Sequence, residues 1–327
     1  MEEEFFQAES SLVIFRRSAR CFFMKLRAGV AGSGSMGRNH ARCYSLIQEV
    51  ELAAVYDADL KRAQAVAEEF GAKAVDSLEA LAEACDLASV AVPTIAHLEV
   101  GGELMRRGLH VLMEKPIAPS VEEAKQLVEL AEERDRILQI GHIERFNPVM
   151  RELEAKLNQP KFIESHRLSP FPNRSIDIGV VLDLMIHDLE IILHLVKSPV
   201  ASIDAVGVPV LMKSEDIANA RLRFENGCVA NVTASRISPE RLRKIRVFQD
   251  DGYLSLDYQE QSGEMFWKEG GAIQKATVEV EKDEPLKLEL AAFVESVQEG
   301  KTPAVTGKQG ADALAIALEI TRQIEAG

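Results

Sequence analysis

The sequence is short of everything that would staple it, anchor it or draw it to a polyanion. Its 327 residues include only four cysteines, Cys21, Cys43, Cys85 and Cys228, with no CxxC pair and no ligand-like spacing. Reduced thiols in a cytoplasmic protein are therefore expected rather than a disulfide framework. No run of 18 or more uncharged apolar residues occurs, so no transmembrane helix or membrane partner is expected. Positive charge is scarce: 38 Lys and Arg face 52 Asp and Glu, a net charge of −14. Nucleic-acid binding needs a basic face that releases counterions, so it too is not expected. A few local arginines could still hold a phosphorylated small molecule. No cluster of His, Cys and Asp has metal-ligand spacing, and no metal is expected.

What is present is globular. With 46% hydrophobic and 28% charged residues and a mean hydropathy of −0.06, the chain can bury a sizeable core, and its length suits two domains. Residues 1–23 open acidic and hold only the short apolar run Leu12–Phe15, which is not a secretory signal. Met24 leads directly into the first strand, so 1–23 is expected to be an extension arising from start-site assignment. A disordered or interaction tail is the alternative.

From Leu26 to His142 short apolar runs alternate with helical patterns. Strands are predicted at Leu26–Ala31, Glu51–Tyr56, Ala72–Val75, Leu87–Val92, Leu109–Met113 and Ile137–Gly141. Helices are predicted at Met36–Ile47, Leu60–Phe70, Leu78–Ala84 and Ala96–Arg107, with a last one running from a Ser120/Glu123 capping box to about Arg134. Continuous apolar strands between helices imply a doubly wound parallel sheet covered on both faces. The rhythm changes after Asn147. Helices at Pro148–Leu157 and Ile178–Val196 accompany β-like runs at Phe162–Leu168, Ile203–Pro209, Ala218–Phe224, Cys228–Ser235, Lys244–Phe248, Tyr253–Tyr258 and Thr277–Glu281. Asn226-Gly227 and Asp251-Gly252 mark hairpin turns. Helices Leu286–Gln298 and Gly310–Ile324 close the chain. The expectation is an α/β first domain over 24–144 and an α+β second domain over 145–327, built on an open, mostly antiparallel sheet.

Gly32-Ser33-Gly34-Ser35-Met36-Gly37 is a GxGxxG segment between a predicted strand and a predicted helix. Glycines there give a tight turn, close backbone approach to a pyrophosphate and close strand–helix packing, and the helix N-terminus presents free N–H groups to the anion. Asp57 ends the second strand 20 residues past Gly37. A carboxylate there accepts bonds from a ribose 2′-OH and repels a 2′-phosphate, favouring NAD over NADP, although Lys61 and Arg62 follow closely.

Glu114-Lys115-Pro116 follows the fifth strand, at the edge where this fold binds ligands. A lysine there can donate to a substrate hydroxyl or a cofactor ribose. Asp183 and His187 are four residues apart and share a face if the segment is helical. Histidine suits a general base at neutral pH, and a carboxylate one turn away can orient it. By spacing alone, a surface lysine and a helix-surface ion pair remain open readings of the same residues.

Together these segments resemble the glucose–fructose oxidoreductase / inositol dehydrogenase (Gfo/Idh/MocA) family over nearly all of Lys25–Ala326. The resemblance implies an N-terminal Rossmann domain and hydride transfer from a sugar or polyol carbon to nicotinamide. It implies Lys115, Asp183 and His187 as the catalytic set, with Gly179 matching the glycine of the family's GGxxxDxxxH helix and Ile178 departing from it. Pro93, Thr94 and His97 resemble the loop that lies against the cofactor, beside Gly32, Ser35, Met36, Gly37, Asp57, Glu114 and Lys115. The stretch Ser175–Glu190 resembles the branch that oxidises UDP-N-acetylglucosamine at C3 for 3-amino-sugar lipid A. On that reading Arg145, Asn147, Arg167, Arg174, Asp183 and Arg236 are the candidate substrate contacts, since guanidinium forks match phosphate. A free polyol such as an inositol and a non-enzymatic NAD-binding regulator are the alternatives. A homo-oligomer, dimer or tetramer, is expected to cover the open sheet face.

Overall fold

The computed structural model describes residues 25–171 and 178–327. Arg174 and residues 1–23 lie outside them.

The first half alternates strand and helix as the apolar rhythm requires: β1 Leu26–Ala31, α1 Ser35–Leu46, β2 Val50–Tyr56, α2 Leu60–Phe70, β3 Lys73–Val75, α3 Leu78–Ala84, β4 Leu87–Val90, α4 His97–Arg106, β5 His110–Glu114, α5 Val121–Glu133 and β6 Leu138–Gly141. All pairings are parallel, in the order β3-β2-β1-β4-β5-β6. The order reverses between β1 and β4, and the crevice outside the carboxyl ends of those strands is where such sheets bind ligands. Local chemistry sets the boundaries. Asp59 caps α2 by accepting from the Lys61 N–H, and Gly71 ends that helix in the left-handed region at φ 75°. Ser120 caps α5 by accepting from the Glu123 N–H, the forward half of the expected box. A complete reciprocal box sits instead at Thr306 and Gln309.

The second half contains α6 Pro148–Lys156, β7 Phe162–Leu168, α7 Ile186–Val196, β8 Val200–Val208, β9 Ile217–Phe224, β10 Val229–Ser235, β11 Leu242–Gln249, β12 Gly252–Asp257, β13 Ser262–Glu269, β14 Ala272–Val278, α8 Pro285–Glu299 and α9 Gly307–Ala326. Its eight strands run β14-β13-β12-β11-β7-β10-β9-β8, and only the β7–β10 pair is parallel. Both expected hairpin turns join antiparallel neighbours, β9 to β10 and β11 to β12. The sequence reading passed over β13 and placed the following strand too late. Gly270 and Gly271, both at positive φ, form a two-residue turn that pairs Glu269 with Ala272. Charged residues at Glu264, Lys268 and Glu269 hide the alternation of β13.

One face of this sheet carries the second core, which joins α6, α7 and α9 to β7 and β9–β12. The other face bears a ladder of rings, Phe248, Tyr253 and Phe266 stacked in turn and Phe162 tilted against Phe248. Helix α8 does not join that core. Leu286, Leu290, Phe293 and Val294 pack with Val30, Tyr44 and Leu52 of the first half, so α8 covers the first sheet although it follows the second in the chain. No described helix is long and apolar enough to cross a membrane.

Candidate active site

The glycine loop lies at the sheet's switch point. Gly32 has φ 98°, and a Cβ there would stand 2.7 Å from the backbone of Ala91 in the loop after β4. A Cβ on Gly37 would sit 1.7 Å from the Gly32 carbonyl. At Gly34 a Cβ would meet nothing within 4 Å, and no side chain caps α1. This edge, with its uncapped N–H groups beside exposed Ser35 and half-buried Met36, fits a dinucleotide pyrophosphate. Asp57, half-buried at the end of β2, accepts from the Ser33 N–H at 2.6 Å and the Asp59 N–H at 2.9 Å, so its carboxylate also shapes the loop.

Pro93 and Thr94 enter α4 through a short tight turn. His97, which follows, has one ring nitrogen 3.2 Å from the Ile117 carbonyl and the other 3.1 Å from that of Val92. It is buried, and burial lowers its pKa, so it stays neutral and ties two loops together. Only one of those contacts can be an N–H donation at a time.

Lys115 leaves the end of β5, and its Nζ donates to the Asp183 carbonyl at 2.7 Å with Oδ1 at 3.4 Å. This contact joins the two halves. Asp183 stands in a π-helical turn, Val181–Met185, that opens into α7, where the sequence predicted one regular helix. Such widened turns often mark functional sites. A Cβ on Gly179 would lie 2.0 Å from the Glu215 carboxylate, which accepts the Val181 N–H at the start of this turn. Gly179 thus makes room for a carboxylate that caps the turn.

His187 begins α7. Its pKa is held well below the ordinary histidine range by burial first, then by Lys115 and Arg167. Nδ1 is buried without a partner. His142 lies edge-on to it with ring centroids 6.0 Å apart, and burial lowers His142 to about 3. The site therefore holds two neutral imidazoles beside a lysine and an aspartate, a set able to take a proton from a hydroxyl and hold the resulting charge.

The expected substrate arginines are placed otherwise. Arg145 is paired with Glu190 at 2.7 Å. Arg167 bonds Asp188 at 2.6 Å and Glu144 at 2.8 Å. Arg236 bonds Asp216 at 2.8 Å and the Ile178 carbonyl at 2.6 Å. All three are buried in these internal contacts. Asn147 caps α6 and donates to the Tyr258 carbonyl. A cation the sequence reading missed is Arg243, opposite Arg167 in the β7–β11 register. Its side chain is 47% exposed, with a Glu144 carboxylate oxygen at 3.4 Å and Asp188 close enough to act on its charge. Its alternation with Arg241 was visible, but its place beside Arg167 depends on the sheet register.

The first half, residues 26–142, matches the model of the oxidoreductase family with an NAD-binding Rossmann fold, and residues 150–255 match the GFO/IDH/MocA C-terminal domain. The chain is 36% identical over 308 residues to UDP-N-acetylglucosamine 3-dehydrogenase from Acidithiobacillus ferrooxidans, covering 92% of this chain and 98% of that one. A solved structure of that enzyme superposes with a TM-score of 0.89, covering 93% and 99% of the two chains. The scyllo-inositol 2-dehydrogenase (NAD(+)) of Bacillus subtilis is 25% identical over 93% of this chain and 95% of its own. An Agrobacterium radiobacter oxidoreductase solved with NAD+, L-tartaric acid and magnesium shares the fold at 19% identity and a TM-score of 0.83, over 92% and 96% of the two chains. With both halves matched and a 36% relative covered almost end to end, the chain belongs to the Gfo/Idh/MocA oxidoreductase family and is one of its dehydrogenases.

Proposed function

We propose that this dehydrogenase oxidises a ring hydroxyl of a sugar nucleotide, C3 of UDP-N-acetylglucosamine, with NAD rather than NADP. The observation that carries the reading is the 36% identity across 98% of an enzyme of that name. Asp57 keeps a carboxylate at the ribose end of β2, where it disfavours a 2′-phosphate. Bound NAD supplies the acceptor for the hydride leaving the ring carbon. His187, neutral and open to protonation, takes the hydroxyl proton. Lys115 donates to the same oxygen while Asp183 holds the lysine and the substrate in place. Arg243, with Arg241, is the cation pair we assign to the diphosphate. A homo-oligomer covering the aromatic ladder of the second sheet completes the reading.

The inward pairing of Arg145, Arg167 and Arg236 takes away three phosphate contacts, and this favours a free polyol as the second reading. NADH formation measured with UDP-N-acetylglucosamine beside free inositols and glucose separates the two. Turnover of the sugar nucleotide is expected, and activity on the polyols alone would overturn the assignment.

A further inference from the structure

Three side chains distant in sequence meet behind Lys115. His40 comes from the middle of α1, Glu114 ends β5, and Glu289 comes from α8. Ligand-capable atoms of all three lie within 4.8 Å of one another. His40 Nε2 is 2.9 Å from Glu114 Oε1, and the other Glu114 oxygen accepts the Lys115 N–H at 3.2 Å. His40 and Glu289 are fully buried. Both Glu289 oxygens and His40 Nδ1 are buried without a partner. The proposed reaction makes no use of Glu289.

Two carboxyl groups this close in a dry interior cannot both ionise cheaply. Glu114 has two polar partners, the His40 ring and the Lys115 N–H. Glu289 has none, and a bare carboxylate there would be a costly buried ion. The atoms left over are complementary: a carboxylic acid offers one O–H, and a neutral imidazole bonded through Nε2–H offers a lone pair at Nδ1.

We propose that Glu289 is a positioning residue for the Glu114–Lys115 loop: it keeps its proton, shares it with His40 and Glu114, and so locks the pyrophosphate-binding helix α1 to the loop that carries Lys115. Burial, with Glu114 alongside, pushes Glu289 well above the usual carboxylate range, in agreement with this geometry. The groups facing it are Glu114 from β5, His40 and Tyr44 from α1, and Gln139 of β6, whose amide donates to the Glu289 carbonyl. No lysine or arginine is among them. The net charge held behind Lys115 is then −1 instead of −2.

The inference rests on Lys115 belonging to the reacting site, but on no particular sugar, so any hydroxyl substrate the enzyme turns over serves for the assay. NAD binding, read by fluorescence titration, gives a second readout independent of turnover. Glu289→Gln keeps a donor and a neutral charge and is expected within about twofold of wild type in both. Glu289→Leu is expected to lose about tenfold in kcat and to weaken NAD binding, because misplacement of a reacting group by a fraction of an ångström is costly. As pH rises, wild type is expected to lose activity when Glu289 ionises, whereas Glu289→Gln keeps it. Should Glu289→Leu fail to fold, that alkaline comparison decides alone. A Glu289→Leu enzyme with wild-type kcat and NAD affinity would overturn the proposal. So would Glu289→Gln being as impaired as Glu289→Leu, or a stoichiometric divalent metal in wild type that Glu289→Gln lacks.

Discussion

The two halves of the molecule handle charge in opposite ways. The first half meets its ligand with bare backbone: an uncapped helix end and a Gly34 that leaves open space where a side chain would stand. The second half carries most of its charged side chains near the site inward, where Arg145, Arg167 and Arg236 each close on a carboxylate. Binding chemistry is on show in the first region. In the second the same residue types hold the scaffold beneath His187. An arginine near an active site is thus a contact only if the fold leaves it unspent.

Substitutions can break that contrast. The largest effect is expected from His187→Ala, which should cut kcat by about 10²–10⁴ while leaving NAD binding and the urea midpoint near wild type. Turnover close to wild type would remove His187 from the chemistry. Arg167→Met should do the reverse and act first on stability. It strands Asp188 and Glu144 in the interior, and breaking such a buried pair costs about 3–5 kcal/mol. Urea denaturation measures this, and an unchanged midpoint would mean that Arg167 is not structural. The smallest effect is a shift in pH dependence. His187 must be unprotonated to act, and burial and Lys115 both depress it, so wild-type kcat/KM should fall only well below pH 6.5. In Lys115→Met one source of that depression is gone, and the acid limb should move up towards 6.5 even though the maximum drops. A limb that stays in place would show that the two groups do not couple.

The same contrast governs how far the sequence could be read. The parallel half was legible because its signals are local. Apolar runs fix the strands, Gly71 and Ser120 punctuate helices, and the GxGxxG spacing carries its chemistry in the backbone. Lys115 and His187 could be nominated from motifs, since each sits at a fixed offset from an element end. The bond from Lys115 to Asp183, and the π turn that carries Asp183, depend on how the halves pack. The arginines misled because residue type records a capacity for pairing but not a partner: Asp188, Glu190 and Asp216 lie 21, 45 and 20 residues from the arginines they bind. Strand β13 was hidden by its charges, and the group of His40, Glu114 and Glu289 spans 249 positions that no local pattern joins.

The return of α8 to the first half bears on how the chain is made. Leu286, Leu290, Phe293 and Val294 fill the core against β1, β2 and α1, yet they leave the ribosome after every strand of both sheets. Until then the nucleotide-binding layer has an uncovered apolar flank and Glu114 lacks Glu289. Domains generally fold in order of emergence. Here the unit that emerges first is finished only by α8, so the cofactor site matures after both sheets have been synthesised.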